Sequence, residues 1–401
     1  METIEEIKKQ GIPLVICGAG IVGKALFYAC QHKGIKVDGF CDSNINKTKF
    51  KLCGLEVIHT PQLKARFQDC IILISAADIK DVADQLHVLG HSRWYAGSLL
   101  LKDFDVSRGR FSKANDFVEY AVETCRLCQD SYLNPHQLFL RSVDIVITER
   151  CSLKCRDCAN LMQYYEGPVN YSMEETLQSI DALCACVDCV NEFRVIGGEP
   201  FMNKEIHLVV RRLVDEPKVK RIAIYTNATI LPRDEHLECF RSSKVLFMIT
   251  DYNELSRNLT ALTRLLDENR ITYNAHKAER WTDSGEIRKH NRGVEDQKKI
   301  FTNCCAKNTL TLSRGELHRC PFSANALRLN AVPDHPGDYV QVTKGVLEDK
   351  DIDGTKQRIR RLVTEKTYLD TCDHCNGRSF DDPQIIPAIQ TKKPLEYERQ
   401  R

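Results

Sequence analysis

No stretch of this 401-residue sequence is apolar for long enough to cross a bilayer; runs such as Cys70 to Ala77 fall far short of the roughly 20 residues required. Neither sign of charge dominates, with 57 Lys and Arg against 55 Asp and Glu, so no electrostatic footprint points to nucleic acid or to an anionic membrane surface. Gly and Pro are modest at 20 and 13, which excludes low-complexity and collagen-like classes. The opening METIEEIKKQ has no apolar h-region and mixes acidic with basic residues, unlike a secretory signal. These absences lead to the expectation of a soluble, cytoplasmic protein. The 42% apolar content is enough for real cores, and the length suggests two or three domains at roughly 150 residues each.

Cysteine, by contrast, is abundant, with 19 in the chain. In a secreted protein they would suggest disulfides, but the cytosol keeps thiols reduced. Metal binding is then the leading explanation, and spacing has to decide which cysteines take part.

Residues 12–17 (IPLVIC) read as a short buried strand running into Gly18-Ala19-Gly20-Ile21-Val22-Gly23. A helical pattern follows, then KVDGFCD ending at Asp42, which makes a βαβ unit with G-x-G-x-x-G at its first turn. Glycines there let backbone approach a phosphate, and the helix N-terminus offers N–H donors. Gly18, Gly20, Gly23 and Asp42 are therefore candidate nucleotide contacts, against the alternative of a scaffold that only packs. Another strand, DCIILISAAD, precedes a helix near 79–89, and the pattern fades around 108. This Rossmann-like segment resembles the small N-terminal domains of bacterial sugar-modifying acyltransferases and methyltransferases, whose GAG-x-x-G-K and G-F-x-D are here Gly18 to Lys24 and Gly39 to Asp42.

Residues 109–137 read as a polar helical connector carrying Cys125 and Cys128. From 139 the rhythm alternates strand and helix, with strands expected at 143–148, 192–196, 221–226, 245–250 and 271–275. Repeated βα units imply a parallel sheet or open barrel, and five or six are too few for an eight-fold one. The segment from 301 is hairpin-like and rich in cysteine, and the closing TKKPLEYERQR reads as solvated and mobile.

Cys151-Ser-Leu-Lys-Cys155-Arg-Asp-Cys158 follows the first of these strands, on the side where α/β barrels build active sites. Three closely spaced thiolates can hold a [4Fe–4S] cube without saturating it. A zinc site would want a fourth ligand nearby, and no histidine lies between Gln137 and Asn203. The second strand ends in Gly197-Gly198-Glu199-Pro200. C-x3-C-x2-C after one strand and GGEP after the next resembles the radical S-adenosylmethionine (SAM) superfamily. That resemblance implies SAM chelated at the open iron, its amino group held by the GGEP loop, and reductive cleavage to a 5′-deoxyadenosyl radical. Thr226 and Asn227 match positions that meet SAM ribose or carboxylate in that family. One departure is Asp157, which stands where the family usually has an aromatic residue, so the adenine contact would have to be supplied differently.

A second set comprises Cys304 or Cys305, then Cys320, then Cys372 and Cys375. Its pattern resembles the Twitch subdomain, the shorter relative of SPASM, and implies one auxiliary [4Fe–4S] cluster; structural zinc is the alternative. His318 and His374 are candidate supporting donors. Cys184, Cys186 and Cys189, like Cys125 and Cys128, read as packing residues. Substrate candidates are Glu192 and Arg194, alternating on one strand face, with strand-end residues Asp251, Tyr252, His276 and Lys277.

The expected architecture is α/β: a Rossmann-like domain over 1–108, the connector over 109–137, a partial (β/α)6 radical SAM barrel over 138–290 and a Twitch subdomain with tail over 291–401. Together the resemblances imply a radical SAM oxidoreductase, dehydrogenase-like, that oxidises or rearranges a carbohydrate or nucleotide-linked sugar and draws electrons from a flavodoxin- or ferredoxin-type reductant. The competing readings are a peptide-modifying radical SAM enzyme, a nicotinamide dehydrogenase and a zinc-stapled nucleotide sensor.

Overall fold

A computed structural model of the chain describes residues 11–279, 281–283, 286–379 and 382–400. The METIEEIKKQ segment lies outside them. The chain divides into two compact units, Met1–Gln137 and Leu138–Arg401.

In the first unit the run LVIC is apolar at every position because its strand, β1 (Leu14–Cys17), is buried throughout. The glycine loop leads into α1 (Ile21–His32), and the chain returns as β2 (Gly39–Asp42), β3 (Lys51–Leu52), β4 (Leu55–His59) and β5 (Ile71–Ile74), then α2 (Ile79–Val88) and β6 (Trp94–Ala96). The sheet order is β3-β4-β2-β1-β5-β6, parallel except for the short edge strand β3. Succession reverses between β1 and β5, where open sheets of this kind form a crevice beyond their C-terminal ends. The segment read as a connector contains α3 (Asn115–Leu133), whose Val118 and Val122 join the core formed by β1 and α1. Gln129, fully buried, ties it down by donating to the carbonyls of Ile74 (2.8 Å) and Ala76 (2.9 Å).

In the second unit β7 (Phe139–Val146), α4 (Met173–Cys186), β8 (Cys189–Ile196), α5 (Ile206–Val214), β9 (Val219–Thr226), β10 (Val245–Asp251), α6 (Leu259–Glu268) and β11 (Tyr273–Lys277) follow in turn. Ser172 caps α4 by accepting from the amide of Glu175, and Glu174 and Glu175 sit in its positive first turn. The five strands are parallel in the order β11-β10-β9-β8-β7. Their period-2 pattern sorts the faces. Val143, Ile145, Phe193, Val195, Phe247 and Ile249 pack in one core with Ile180, Leu183, Val209 and Leu262 of the covering helices. Asp144, Glu192, Arg194 and Tyr225 alternate with those residues and so occupy the opposite face.

Beyond β12 (Trp281–Thr282) and α7 (Val294–Asn303), β13 (Leu310–Ser313) pairs with β7 in parallel. The sixth parallel strand thus comes from the region read as a separate subdomain, and at the edge opposite β11. A hairpin with Arg314 (φ 51°) and Gly315 (φ 83°) at its turn, the signature of a primed turn, leads to antiparallel β14 (Glu316–His318). Then come α8 (Pro321–Arg328), β15 (Tyr339–Gln341), which pairs with β14, α9 (Ile352–Thr364) and β16 (Gln384–Ile385), which pairs with β12. The tail differs from the mobile segment expected. Leu395 N donates to Gln163 O (2.8 Å), and Gln400 N donates to Asn330 O (2.7 Å). Tyr397 packs edge-on against Tyr164 at 5.5 Å and donates its hydroxyl to Leu329 O (2.9 Å). Two apolar side chains, Leu395 and Tyr397, find a small core there despite the surrounding charge.

Phe201, immediately after GGEP, stacks on Phe247 at 5.9 Å, and Phe240 meets both edge-on. This trio anchors the GGEP loop into the main core. Phe247→Ala is expected to lower stability by about 3–5 kcal/mol, read as a fall in the urea midpoint of the full chain, whereas a loss under about 1 kcal/mol would contradict the assigned packing.

Candidate functional site

The loop bearing Cys151, Cys155 and Cys158 lies against the GGEP loop through main-chain contact. Gly198 N donates to Thr148 O (2.9 Å) and Glu199 N to Arg150 O (2.8 Å). A Cβ built on Gly197 would stand 2.2 Å from Thr148 O, and one on Gly198 2.2 Å from Arg150 O and 2.8 Å from Cys151 Cβ. Both glycines are therefore required by the approach of the two loops to each other, a role distinct from the cofactor contact inferred from sequence.

Glu199 is fully buried. Its carboxylate accepts from Thr226 Oγ1 (2.8 Å), Asn227 N (2.9 Å) and Phe201 N (3.4 Å). A carboxylate has about four acceptor positions, so one remains for an ammonium group. Burial pushes the carboxyl up to about 7 despite those donors. Asn227 in turn donates to Ser152 Oγ (3.4 Å) and Cys151 Sγ (3.7 Å) and accepts from Thr229 N (3.0 Å). Thr226 and Asn227, read from sequence as cofactor contacts, thus brace GGEP and the first cysteine. Pro200 opens the short turn that carries Phe201 inward.

Contacts from two segments far along the chain complete the loop. Gln390 accepts from Lys154 N (2.7 Å) and donates to Cys155 Sγ (3.3 Å), while Arg156 N donates to Ile389 O (2.7 Å). Arg378 Nη2 donates to Ala159 O (2.9 Å). Nothing in the local sequence signals any of these partners.

Burial raises all three thiols, Cys155 to about 11, with Cys151 and Cys158 also displaced upward. Backbone N–H groups of Leu153 at Cys151, and of Met162 and Asn160 at Cys158, oppose that rise. Sulfurs buried together and addressed by N–H donors suit a bound cationic metal centre better than free thiolates. The donor set therefore fits a cluster. Tyr252, at the end of β10, stands close by. Burial raises its hydroxyl, the charges of Cys155, Cys158 and Cys151 add to that, and its ring meets Trp281 edge-on at 5.7 Å. Asp251 is half-buried and accepts from Asn253 N (2.7 Å). His276 and Lys277 are exposed at the end of β11.

Glu192 and Arg194 lie on the polar face, as the alternation requires, and Asp144 and Tyr225 join them. Asp144 pairs with Arg194 through Nε, and the guanidinium lies 5.2 Å from the Tyr225 ring centre. Ser142 Oγ donates to Glu192 (3.2 Å). Burial raises the Asp144 carboxyl against the pull of Arg194. Asp144, Thr311 and His318 are register partners on β7, β13 and β14, so they share a face. Asp144 Oδ2, Thr311 Oγ1 and His318 Nδ1 are buried without hydrogen-bond partners among the described residues.

Cys304, Cys320, Cys372 and Cys375 line one cavity together with Arg378. Ala306 N points at Cys304 Sγ, Ser323 N at Cys320 Sγ and Gly377 N at Cys375 Sγ, each at 3.4 Å. Burial lifts Cys320 to about 12 and also raises Cys372 and Cys375. Cys305 is exposed and outside the cavity lining. Among the described residues no three His, Cys, Asp or Glu side chains converge tightly enough for a single ion. A cube has different geometry, since each thiolate binds its own iron. His318 pairs with Glu316 (3.1 Å) and packs on Tyr339, and neither it nor His374 lines the cavity. Cys184 and Cys186 are core residues, and Cys125 and Cys128 are buried in the first unit.

In the first unit, Gly18 takes φ 109° beneath Ser75, whose Oγ donates to the carbonyls of Cys17 and Gly18 at 2.9 Å. A Cβ on Gly23 would meet Gly18 O at 1.9 Å. Asp42 accepts from Ala19 N (2.8 Å), Asn44 N (2.9 Å) and Lys47 Nζ (2.7 Å), so its carboxylate holds the glycine loop. A cavity is lined by Gly18, Gly20, Gly23, Asp42 and Lys47. No helix among the described residues is long and apolar enough to cross a membrane.

The raised Glu199 carboxyl has a consequence for pH. Between about 4.5 and about 7 the folded chain holds a proton that the unfolded chain releases, so stability falls as pH rises through that window. Glu199→Gln is expected to flatten the slope, worth on the order of 3 kcal/mol across the window, in thermal melts of the metal-free chain. An unchanged slope would contradict the assignment.

Residues 145–278 match the Radical SAM superfamily model. GTP 3′,8-cyclase of Clostridium acetobutylicum is 32% identical over 97 residues, covering 23% of this chain and 30% of that protein. The corresponding enzyme of Sulfurovum sp. is 30% identical over 101 residues, covering 23% of this chain and 29% of that protein. The chain thus spans about three tenths of the length of these curated relatives. Among solved structures, BtrN in complex with AdoMet and 2-DOIA aligns over 64% of this chain and 98% of its own at 14% identity and a TM-score of 0.40. Streptococcus suis SuiB bound to S-adenosylmethionine aligns over 81% and 88% at 14% identity and a TM-score of 0.32. The matched residues 145–278 include the three-cysteine loop, GGEP and Thr226-Asn227, and the superfamily whose model they match uses SAM and a [4Fe–4S] cluster.

Proposed function

We propose that this chain is a radical SAM oxidoreductase acting on a carbohydrate or nucleotide-linked sugar, with an auxiliary [4Fe–4S] cluster beside its SAM-binding one. The observation that carries the reading is the Cys151, Cys155 and Cys158 loop, held by GGEP and Asn227 at the C-terminal end of a parallel sheet with a charged, buried face. When bound, SAM and its cluster supply the hydrogen-abstracting radical. The remaining roles fall to side chains. Cys151, Cys155 and Cys158 hold the cluster, and Glu199 receives the SAM ammonium at its spare acceptor position. Tyr252, beside the three sulfurs, supplies the aromatic surface that Asp157 cannot. Asp144 and Arg194 present a carboxylate and a guanidinium that can orient hydroxyl groups, and the apolar core behind them excludes water. Cys304, Cys320, Cys372 and Cys375 hold the auxiliary cluster. Gly18, Gly20, Gly23 and Lys47 support a phosphate-bearing ligand in the first unit, which is why a nucleotide sugar is favoured.

Incubated anaerobically with SAM and dithionite, the reconstituted chain is expected to form 5′-deoxyadenosine without NAD, and nucleotide sugars are expected to raise its melting temperature. Absence of 5′-deoxyadenosine would overturn the reaction class; melting unchanged by every nucleotide sugar would overturn the substrate class.

Iron counting tests the second cluster. Wild type is expected to hold about eight irons, Cys304→Ala about four and Cys305→Ala about eight. Equal loss in both variants would remove the distinction drawn between the adjacent cysteines.

A further inference from the structure

One side chain reaches the surroundings of both cysteine sets. Arg378 lies three residues beyond Cys375 and lines the cavity shared by Cys304, Cys320, Cys372 and Cys375. Its Nη2 donates to the carbonyl of Ala159 (2.9 Å), the residue after Cys158. Its own carbonyl accepts from Cys305 N (2.7 Å). The guanidinium therefore spans from the auxiliary cavity to the SAM-cluster loop.

Its charge stands between the two sets: the guanidinium bonds the carbonyl next to Cys158, and the side chain lines the cavity of Cys304, Cys320, Cys372 and Cys375. The same charge eases the buried carboxyl of Asp144, after Arg194 has done most of that work. Arginine is suited to this position because its guanidinium never loses its charge, and its flat donor array can bond a carbonyl while facing sulfur.

We propose that Arg378 is a positioning residue common to the two sites, fixing the Cys155–Cys158 loop at Ala159 and placing a permanent positive charge that makes both clusters easier to reduce. One-electron reduction by dithionite or a flavodoxin-type donor adds one negative charge to a cluster and moves no proton. A fixed cation nearby stabilises the reduced form more than the oxidised one and so raises the midpoint potential. The inference rests on the reading that both cysteine sets hold [4Fe–4S] clusters.

The test is a potentiometric titration of the anaerobically reconstituted full chain followed by electron paramagnetic resonance, for wild type, Arg378→Gln and Arg378→Lys. In Arg378→Gln both midpoint potentials are expected to move to more negative values, and Arg378→Lys, which keeps the charge, should lie nearer wild type at both. A second measurement needs no cluster. Amide hydrogen exchange at residues 159–163 of the metal-free chain should quicken in Arg378→Gln, where the Ala159 tie is weakened, and it reads the positioning role even where that variant loads iron poorly. Potentials that stay in place at either cluster, or exchange that does not change, would overturn the shared role. Wild type holding only about four irons would overturn the two-cluster reading and the shared role with it; about eight irons with unmoved potentials would overturn Arg378's role alone.

Discussion

The close passage of two main-chain segments, 148–151 over 197–199, is the constraint on which the site depends. Its hydrogen bonds are ordinary in length, but they form only because neither residue 197 nor residue 198 carries a Cβ. That contact fixes where Cys151 leaves the strand and delivers Glu199 into the interior, where Thr226 and Asn227 meet it. Phe201, two residues on, is locked into the aromatic trio of the main core. The three-cysteine loop is thereby referenced to the main core of the unit through a few residues of backbone.

A consequence is electrostatic. Burying three thiols raises each of them, so the metal-free chain keeps its sulfurs protonated in a region built for negative charge. The N–H groups aimed at sulfur in both cysteine sets suit a bound centre's sulfurs as well as they do the free ones. Were such a centre bound, its binding and the ordering of these loops would be linked, each favouring the other.

Much of this was legible from local spacing. C-x3-C-x2-C, GGEP and TNAT each fall within one strand-to-loop transition, so the positions they occupy follow from where the strands end. The parallel strands were legible too, because their outward faces are Val, Ile and Phe at every second position. What sequence could not give was partnership across long separations. Gln390 meets Cys155 from 235 residues away, Arg378 meets Ala159 from 219, and a glutamine or arginine in a polar stretch announces no partner. The tail was misread for a related reason: its composition is charged, and two apolar side chains sufficed to dock it. The edge at which the sixth strand joins is likewise a matter of tertiary pairing, since LTLS could extend either side of the sheet.

The buried charges on the inner face argue about function independently of any motif. Asp144 is almost wholly inaccessible and Arg194 largely so, and a buried ion pair of this kind is often no more stabilising than apolar residues of the same volume. Asp144 further retains an oxygen with no partner among the described residues, as does the Thr311 hydroxyl, and His318 retains an unpartnered Nδ1 in the same row of the sheet. Folding alone gives no reason to keep three unmet polar atoms together beside an ion pair when valine and isoleucine fill the opposite face so readily. A polar ligand would satisfy them, and its recognition would account for charge that the stability of the fold does not.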